Sequence, residues 1–293
     1  MGAFLQAIAS GLILGAIYAV MTVGLTLIYG ALRTLNMAHG TLTMVGGFVA
    51  WGLITVLGLP PIVGAGAAFV VAFGLGVVIY RLAVAPLIGH KDFELVGFIS
   101  TLAVAMIMQN AMLLVFGARN KPVDPLLPGS LPLPFQITVT WHQVLMAGVA
   151  IAVLIALQFF LTRSRHGLAV VAVAQNLDAA KLMGVDARRI YAATMGLSAG
   201  LAAIAGVLLA PIFFVSPNAG DIPLLKAIIV AIFGGMGSVR GTILGAFVIG
   251  LVEAVASTYL GAKFALPVLF GVVFVALTVR PNGLFGLSQE TRL

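Results

Sequence analysis

Nine long apolar segments follow one another along the chain, and they constrain its fold more than any other feature. A bilayer core about 30 Å thick requires about 20 helical residues, and most of the segments approach or exceed that length. They cover residues 5–29, 41–57, 62–83, 95–116, 141–161, 190–210, 222–236, 241–260 and 264–279. Because the seventh and ninth are short, the sequence predicts eight to ten spans, about nine, in an all-α polytopic transmembrane helical bundle, a single domain over residues 1–293.

The composition supports a protein embedded in the lipid bilayer. Hydrophobic residues make up 62% of the chain and charged residues 8%, against about 25% charged residues in soluble domains. Cysteine is absent, which excludes disulfides and thiolate metal sites. No phosphate-binding loop, HExxH or GxSxG motif occurs, so we expect no cofactor, no metal and no enzymatic activity in this chain.

The first apolar run has no Lys or Arg before it, so we expect it to be a retained span and not a signal peptide.

The polar segment 162–190, between the fifth and sixth apolar segments, predicts the orientation. It carries Arg163, Arg165, Lys181, Arg188 and Arg189, and short loops rich in Lys and Arg stay in the cytoplasm. With this loop inside, the other inside bases are Arg33, Arg81, Lys91, Arg240, Arg280 and Arg292, and the outside bases are Arg119, Lys121, Lys226 and Lys263. We therefore expect the N-terminus outside and the C-terminus in the cytoplasm. The net charge of +7 is interpreted as this topology signal and not as a nucleic-acid-binding surface.

The interior of this loop has the pattern of a short capped helix. Asn176 is a candidate N-cap, Asp178 lies in the first turn, and Gly184 can take the left-handed position after the last turn. Asp186 can then cap the next helix. Two interpretations stay open at this point: a solvated connector, or a contact through which a soluble motor domain acts on the membrane helices.

The segment 117–140 is the longest one on the predicted outer side. Its prolines are Pro122, Pro125, Pro128, Pro132 and Pro134, a density that prevents a regular helix and stiffens the loop. The sequence predicts an extracytoplasmic, Pro-rich surface loop. It is either a connector or a platform for a soluble partner.

Two glycine-containing breaks interrupt the apolar pattern. They are RTLNMAHG at residues 33–40 and GGMGSVRG at residues 234–241, and each leads into a Gly-Thr pair and an apolar helix. Broken segments free backbone groups that can meet a polar solute, although a glycine-rich chain can produce such pairs by chance. Elsewhere, Gly11 with Gly15, Gly196 with Gly200 and Gly241 with Gly245 are spaced for close helix packing in lipid.

Polar residues inside apolar segments are the other candidates for the translocation pathway. Glu253 lies deep in the eighth segment, and a carboxylate there needs a partner or a water-filled path. Lys226 is a candidate partner because it is predicted to lie at a similar depth. Glu253 can then be either a residue of the translocation pathway or part of a tie between helices. Amides in spans usually form interhelical hydrogen bonds, and a buried histidine can relay protons or cap a helix. The candidate pathway residues are Asn36, His39, Gly40, Gln109, Asn110, Lys226, Gly234, Gly235, Gly237 and Glu253.

Five sequence stretches resemble the membrane permease subunits of branched-chain amino-acid ATP-binding-cassette (ABC) importers. They are GLTLIYGALRTLNMAHG (24–40), GLAVVAVAQNLDAAKLMGVDARRI (167–190), GLAAIAGVLLAP (200–211), LLKAIIVAIFGGMGSVRGTILGAFVIGLVEA (224–254) and RPNGLFG (280–286). Their order and the chain length match the shorter of the two permease types of this family. One departure is visible, because Leu168 and Val171 occupy positions where family members often have arginine.

The resemblance implies a multi-pass protein of a prokaryotic cell membrane that forms a pathway and does no chemistry itself. Its implied partners are two cytoplasmic ATPase subunits, a second and different permease chain, an extracytoplasmic solute-binding protein and the lipid bilayer. Carried over by position, the residues that couple to the ATPase are Gln175, Asn176, Leu177, Asp178, Lys181, Leu182, Met183 and Gly184.

Permeases for urea and short-chain amides share these motifs, so the substrate class has two alternatives. From another class, an ion-coupled secondary transporter would use Glu253 or His39 as a proton relay. An intramembrane enzyme is disfavoured because the sequence has no paired carboxylates, Ser/His set or metal-binding cluster.

Overall fold

A computed structural model describes residues 2–134 and 137–286 of the chain as a helical bundle. The long helices are α1 (Gly2–Leu32), α2 (His39–Ala50), α3 (Pro61–Ile79), α4 (Phe93–Phe116), α5 (Trp141–Arg163), α8 (Ala187–Phe213), α9 (Asp221–Gly234), α10 (Val239–Tyr259) and α11 (Ala262–Val279). Wider π-helical turns extend α2 through Trp51–Val56 and α3 through Tyr80–Val84. Two short helices, α6 (Arg165–Gln175) and α7 (Leu177–Leu182), lie in the polar segment 162–190. Arg292, counted among the inside bases, lies outside the described residues.

Eight of these helices are long and apolar enough to cross a bilayer. The all-α bundle is therefore confirmed, and eight lies within the predicted range. The seventh apolar segment forms α9, which has only 14 residues and is about 21 Å long. It is too short to span alone, because residues 214–220 before it are not helical.

The Pro-rich segment contains a feature that the sequence did not predict. Strands β1 (Ser130–Leu133) and β2 (Ile137–Thr140) pair in antiparallel register, with Ser130 opposite Thr140. Thr140 then caps α5, accepting a hydrogen bond from the Gln143 backbone N–H at 3.2 Å. Residues 135–136 of this segment lie outside the described part.

Contacts between loops define two ends of the bundle. At the hairpin end, the Gln6 side chain accepts a hydrogen bond from the Thr138 N–H at 2.8 Å, and Lys121 pairs its backbone with Val215. The opposite end carries the polar segment 162–190 and is called the loop end. One cavity there is lined by Tyr29, Ala174, Gly237 and Asn282. Residues 215–234 thus run from the hairpin end to the loop end, and within this stretch only α9 is helical. The first and last described residues consequently lie at opposite ends.

The core forms where α1 packs against α10 and α8 through small residues. A Cβ on Gly11 would lie 2.8 Å from Leu251 Cα, and one on Gly15 would lie 2.8 Å from Phe247 Cα. Gly196 and Gly200 receive the Phe73 and Phe69 rings of α3, and Gly241 and Gly245 contact Gly234. All three predicted glycine pairs therefore serve close packing, which holds helices together where lipid supplies no hydrophobic drive.

The break after α1 returns the chain into the bundle. Arg33 adopts a left-handed φ of 56°, and α2 begins beside the middle of α1, where His39 Nε2 donates to the Met21 carbonyl at 2.9 Å. Met21 is about 16 Å from the end of α1. The freed backbone N–H of Met37 donates to Thr101 Oγ1 at 3.1 Å. Side chains thus satisfy non-helical backbone inside the bundle.

Replacing Gly15 with leucine is expected to destabilise the bundle. The added side chain would collide with the α10 backbone at Phe247, and overpacking of this kind costs about 1–3 kcal/mol or more. Gly74→Leu is the control, because a Cβ on Gly74 of α3 meets nothing within 4 Å. Thermal unfolding of the purified protein in detergent measures both. Equal melting temperatures for the two variants would contradict the packing described here.

Candidate functional site

The polar segment at the loop end folds as two short helices with a capped corner between them. Ser164 Oγ accepts from the Gly167 N–H at 2.9 Å to start α6, and Asn176 Oδ1 accepts from the Ala179 N–H at 3.0 Å to start α7. Gly184 has a φ of +83°. The predicted caps at Asn176 and Asp186 are confirmed. The sequence did not predict α6, the first of the two helices in this polar segment.

Two apolar side chains at the end of α7 face solvent. Leu182 is 88% exposed and Met183 is 85% exposed, while Ala180 on the other face is buried. The remaining residues predicted for coupling, Gln175, Asn176, Asp178, Lys181 and Gly184, are also exposed, and Leu177 is half-buried. The corner therefore presents an apolar tip surrounded by polar groups.

Inside the bundle, Lys226 and Glu253 form a buried ion pair. Lys226 Nζ lies 2.6 Å from Glu253 Oε1, and both residues are less than a tenth exposed. The Lys226 ammonium also donates to the Tyr18 hydroxyl at 2.9 Å, and that hydroxyl donates to Glu253 Oε2 at 2.9 Å. The pairing predicted from depth is present. Each charge thus has an opposite charge and a second hydrogen bond, as charges within a membrane require.

Tyr18 is the member of this cluster that the sequence did not predict. It lies in the middle of α1, a helix with no charged residue, and it is 1% exposed. A buried tyrosine hydroxyl needs a hydrogen-bond partner. The sequence could therefore have indicated that Tyr18 needs a hydrogen-bond partner, but it does not reveal which helix supplies that partner.

Several predicted pathway residues meet at the start of α9. Gly40 packs directly against Gly220. Gln109 Nε2 of α4 donates to Asn218 Oδ1 at 2.9 Å and lies 3.3 Å from Asp221 Oδ2. Gln109 therefore ties α4 to the non-helical segment before α9. Lys226 lies one to two turns further along the same helix.

Three other candidates have local roles. Asn110 donates to the carbonyl of Met106 in its own helix at 2.8 Å and is exposed, so it does not reach the start of α9. His39 is fully buried, and its Nδ1 lies 3.4 Å from Ser198 Oγ. Asn36 Oδ1 accepts a hydrogen bond from the Ala38 N–H at 3.0 Å, within the turn that precedes α2.

The glycines of the second break lie at the far end of α9. Gly234 packs against Gly241, and Gly235 and Gly237 have φ values of +99° and +87°. Both conformations favour glycine. These residues make the tight turn from α9 to α10 at the loop end, whereas the polar cluster surrounds the start of α9.

A cavity of about 240 Å³ adjoins the start of α9. The Lys226 and Tyr18 side chains border it on one side, and Ser216 and Asn218 lie in the non-helical segment that borders it elsewhere. The rest of its wall is mainly apolar, including Leu209, Phe213 and Ile222. A small molecule with one polar end and one apolar end matches this arrangement.

Neutralising one member of the ion pair is expected to cost more stability than neutralising both. Glu253→Gln leaves the buried Lys226 ammonium uncompensated, which costs about 3–5 kcal/mol. The double variant Lys226→Gln and Glu253→Gln keeps hydrogen-bonding groups beside Tyr18 without a lone charge. Thermal unfolding in detergent measures the difference.

Arg189→Gln is the control for that experiment. Arg189 pairs with Asp186 at 2.9 Å, but its side chain is 88% exposed, and exposed pairs contribute about 0–1 kcal/mol. Equal losses for Glu253→Gln and Arg189→Gln would show that the buried pair does not stabilise the bundle.

Comparison with known proteins agrees with a membrane bundle of this kind. The family described as "Branched-chain amino acid transport system / permease component" matches residues 7–279. The permease protein BraD of the high-affinity branched-chain amino acid transport system of Pseudomonas aeruginosa is 32% identical, over 99% of this chain and 98% of its own length. The corresponding LivH of Escherichia coli is also 32% identical over the same shares.

A more distant relative extends the similarity to an archaeon. The probable branched-chain amino acid transport permease protein LivH of Methanocaldococcus jannaschii is 28% identical over 92% of this chain and 89% of its own length. Since the matches run through the first break, the α6–α7 corner and the ion-pair helices together, they cover the membrane domain as a whole. The chain belongs to the family of permease components of branched-chain amino acid transport systems, proteins of the inner membrane.

Proposed function

We propose that this chain is a translocation subunit of an ABC importer for branched-chain amino acids. In this proposal it pairs with a second permease chain, accepts substrate from an extracytoplasmic solute-binding protein, and is driven by two cytoplasmic ATPase subunits. The names of the relatives, permease proteins of branched-chain amino acid transport systems, support the substrate class. ATP hydrolysis is assigned to the partners, because the sequence contains no phosphate-binding loop.

The observation that carries the coupling proposal is the exposed apolar tip of α7. Leu182 and Met183 are almost fully exposed at the loop end, and an amphipathic helix can insert such a tip into a groove on a partner. Asn176 and Gly184 stop the helix at both ends, so its length is fixed. The six-residue helix can therefore act as a rigid element between the ATPase and the membrane helices.

Movement of α7 would reach the core through α8. Only residues 183–186 separate α7 from α8, and the last of them, Asp186, caps α8 by accepting a hydrogen bond from the Arg188 N–H at 3.1 Å. Helix α8 packs against α1, α2 and α3 in the core. A push on α7 during closure of the ATPase dimer would thus tilt α8 and change which end of the pathway is open.

The proposed orientation can be tested with single cysteines, because the chain contains none. Ala179 on α7 and Asn120 in the Pro-rich segment are both exposed. A membrane-impermeant maleimide added to intact spheroplasts is expected to label Asn120→Cys and to label Ala179→Cys only after lysis. Labelling of Ala179→Cys before lysis would overturn the coupling proposal, since α7 would then face away from the ATPase.

Coupling is tested by making the apolar tip polar. The double variant Leu182→Ser and Met183→Ser is expected to lower substrate-stimulated ATP hydrolysis in the reconstituted complex about tenfold or more, which corresponds to about 1.4 kcal/mol of docking energy. Leu57→Ser is the matched control, because Leu57 is 64% exposed in a loop away from α7. Equal ATP hydrolysis by both variants and the unaltered complex would exclude α7 as the coupling element.

A further inference from the structure

We infer that the cavity beside Lys226 is a substrate site of the permease itself, and that it takes the carboxylate of a small apolar amino acid. The inference rests on the proposed function and specifies its substrate class. It follows from three features of the described residues: a buried cation at the cavity wall, hydrogen-bond acceptors at the start of α9, and an apolar surface that forms most of the remaining wall.

The Lys226 ammonium is the group that would bind the carboxylate. Lys226 is 9% exposed and borders the cavity. An ammonium has three N–H donors, and Glu253 and Tyr18 accept from it in the described structure. A third donor can therefore serve a ligand, and a hydrogen bond between charged groups in a site of low polarity is among the stronger ones. The Phe213 ring, which also borders the cavity, lies 5.8 Å from the ammonium.

The helix that carries Lys226 also lines the cavity. Helix α9 begins after the non-helical segment 214–220, and Ile222 and Pro223 of its first turn border the cavity. Lys226 lies in the second turn of the same helix, so its ammonium and the first turn of α9 border one cavity.

The start of α9 carries acceptors for a positive group. Asn218 borders the cavity, and Asp221, beside the cavity-lining Ile222, shares the Gln109 amide with it. Asp221 precedes Lys226 by five residues, about 7.5 Å along the helix axis. An amino acid carries a carboxylate for Lys226 and an ammonium for the acceptors at the start of α9, where Asn218 borders the cavity and Asp221 is adjacent in sequence to lining residues. Urea is neutral and carries neither group.

The size and lining of the cavity select a small apolar side chain. Its volume of about 240 Å³ is below the roughly 300–1,000 Å³ typical of drug-sized ligands. Leu209, Phe213 and Ile222 supply the apolar surface. Phe213 and Ile222 are each more than half exposed in this chain, so the cavity is accessible from its surface.

Direct binding to the full-length chain in lipid nanodiscs tests the inference without the solute-binding protein. Saturation-transfer-difference NMR detects weak ligands, and the probes are L-leucine, L-leucinamide and urea. We expect L-leucine to bind about tenfold or more tightly than L-leucinamide, because the amide loses the charged contact with Lys226. Equal binding of leucine and leucinamide, or binding of urea as strong as that of leucine, would overturn the inference.

A pair of variants locates the site. Ile222→Trp fills the cavity and is expected to abolish the leucine signal, whereas Leu225→Trp is expected to keep it. Leu225 is a matched control because it is exposed on the same helix but does not border the cavity. In the double variant Lys226→Gln and Glu253→Gln, the preference for leucine over leucinamide should disappear. Unchanged leucine binding in Ile222→Trp would place the ligand elsewhere.

ATP-driven leucine uptake by the reconstituted complex separates the two proposals. Uptake by the unaltered complex together with unchanged uptake by Ile222→Trp would retain the proposed function and reject the internal site. Absence of leucine uptake by the unaltered complex would reject the proposed function. Loss of uptake in Ile222→Trp but not in Leu225→Trp would support both proposals.

Discussion

The structure depends on the requirement that polar groups inside a bilayer find their partners within the protein. Hydrocarbon offers no hydrogen bonds, so Lys226, Glu253 and Tyr18 satisfy one another. The same requirement explains why Thr101 bonds the backbone of the broken segment after α1. Helix packing follows a related rule, since only small residues allow α1 and α10 to approach closely enough for dispersion forces to hold them.

Hydropathy predicted most of the spans because the length of an apolar run is a local property. The fifth span was predicted over residues 141–161 and is α5, Trp141–Arg163. The caps at Asn176 and Asp186 were equally predictable, because capping depends on neighbouring residues. Helix α6 was missed because its apolar residues do not distinguish a surface helix from a membrane flank.

Depth and direction within the bundle were not predictable from the sequence. The break at residues 33–40 was recognised, but its return to the middle of α1 depends on contacts with Thr101 of α4 and with the Met21 carbonyl of α1. Glu253 and Lys226 could be paired by estimated depth, whereas Tyr18 could not, because hydropathy does not give the rotation of a helix about its axis. The convergence of Gly40 and Gln109 on the start of α9 likewise depends on tertiary packing.

The exposed tip of α7 also bears on the fate of the subunit before assembly. Leu182 and Met183 project apolar surface into water, and exposed patches of this kind promote nonspecific association until a partner covers them. Under the proposed function, a permease made in excess over its ATPase partner would leave this apolar surface accessible to chaperones and proteases. In that proposal, synthesis of the subunits in equal amounts would keep the tip of α7 covered soon after insertion.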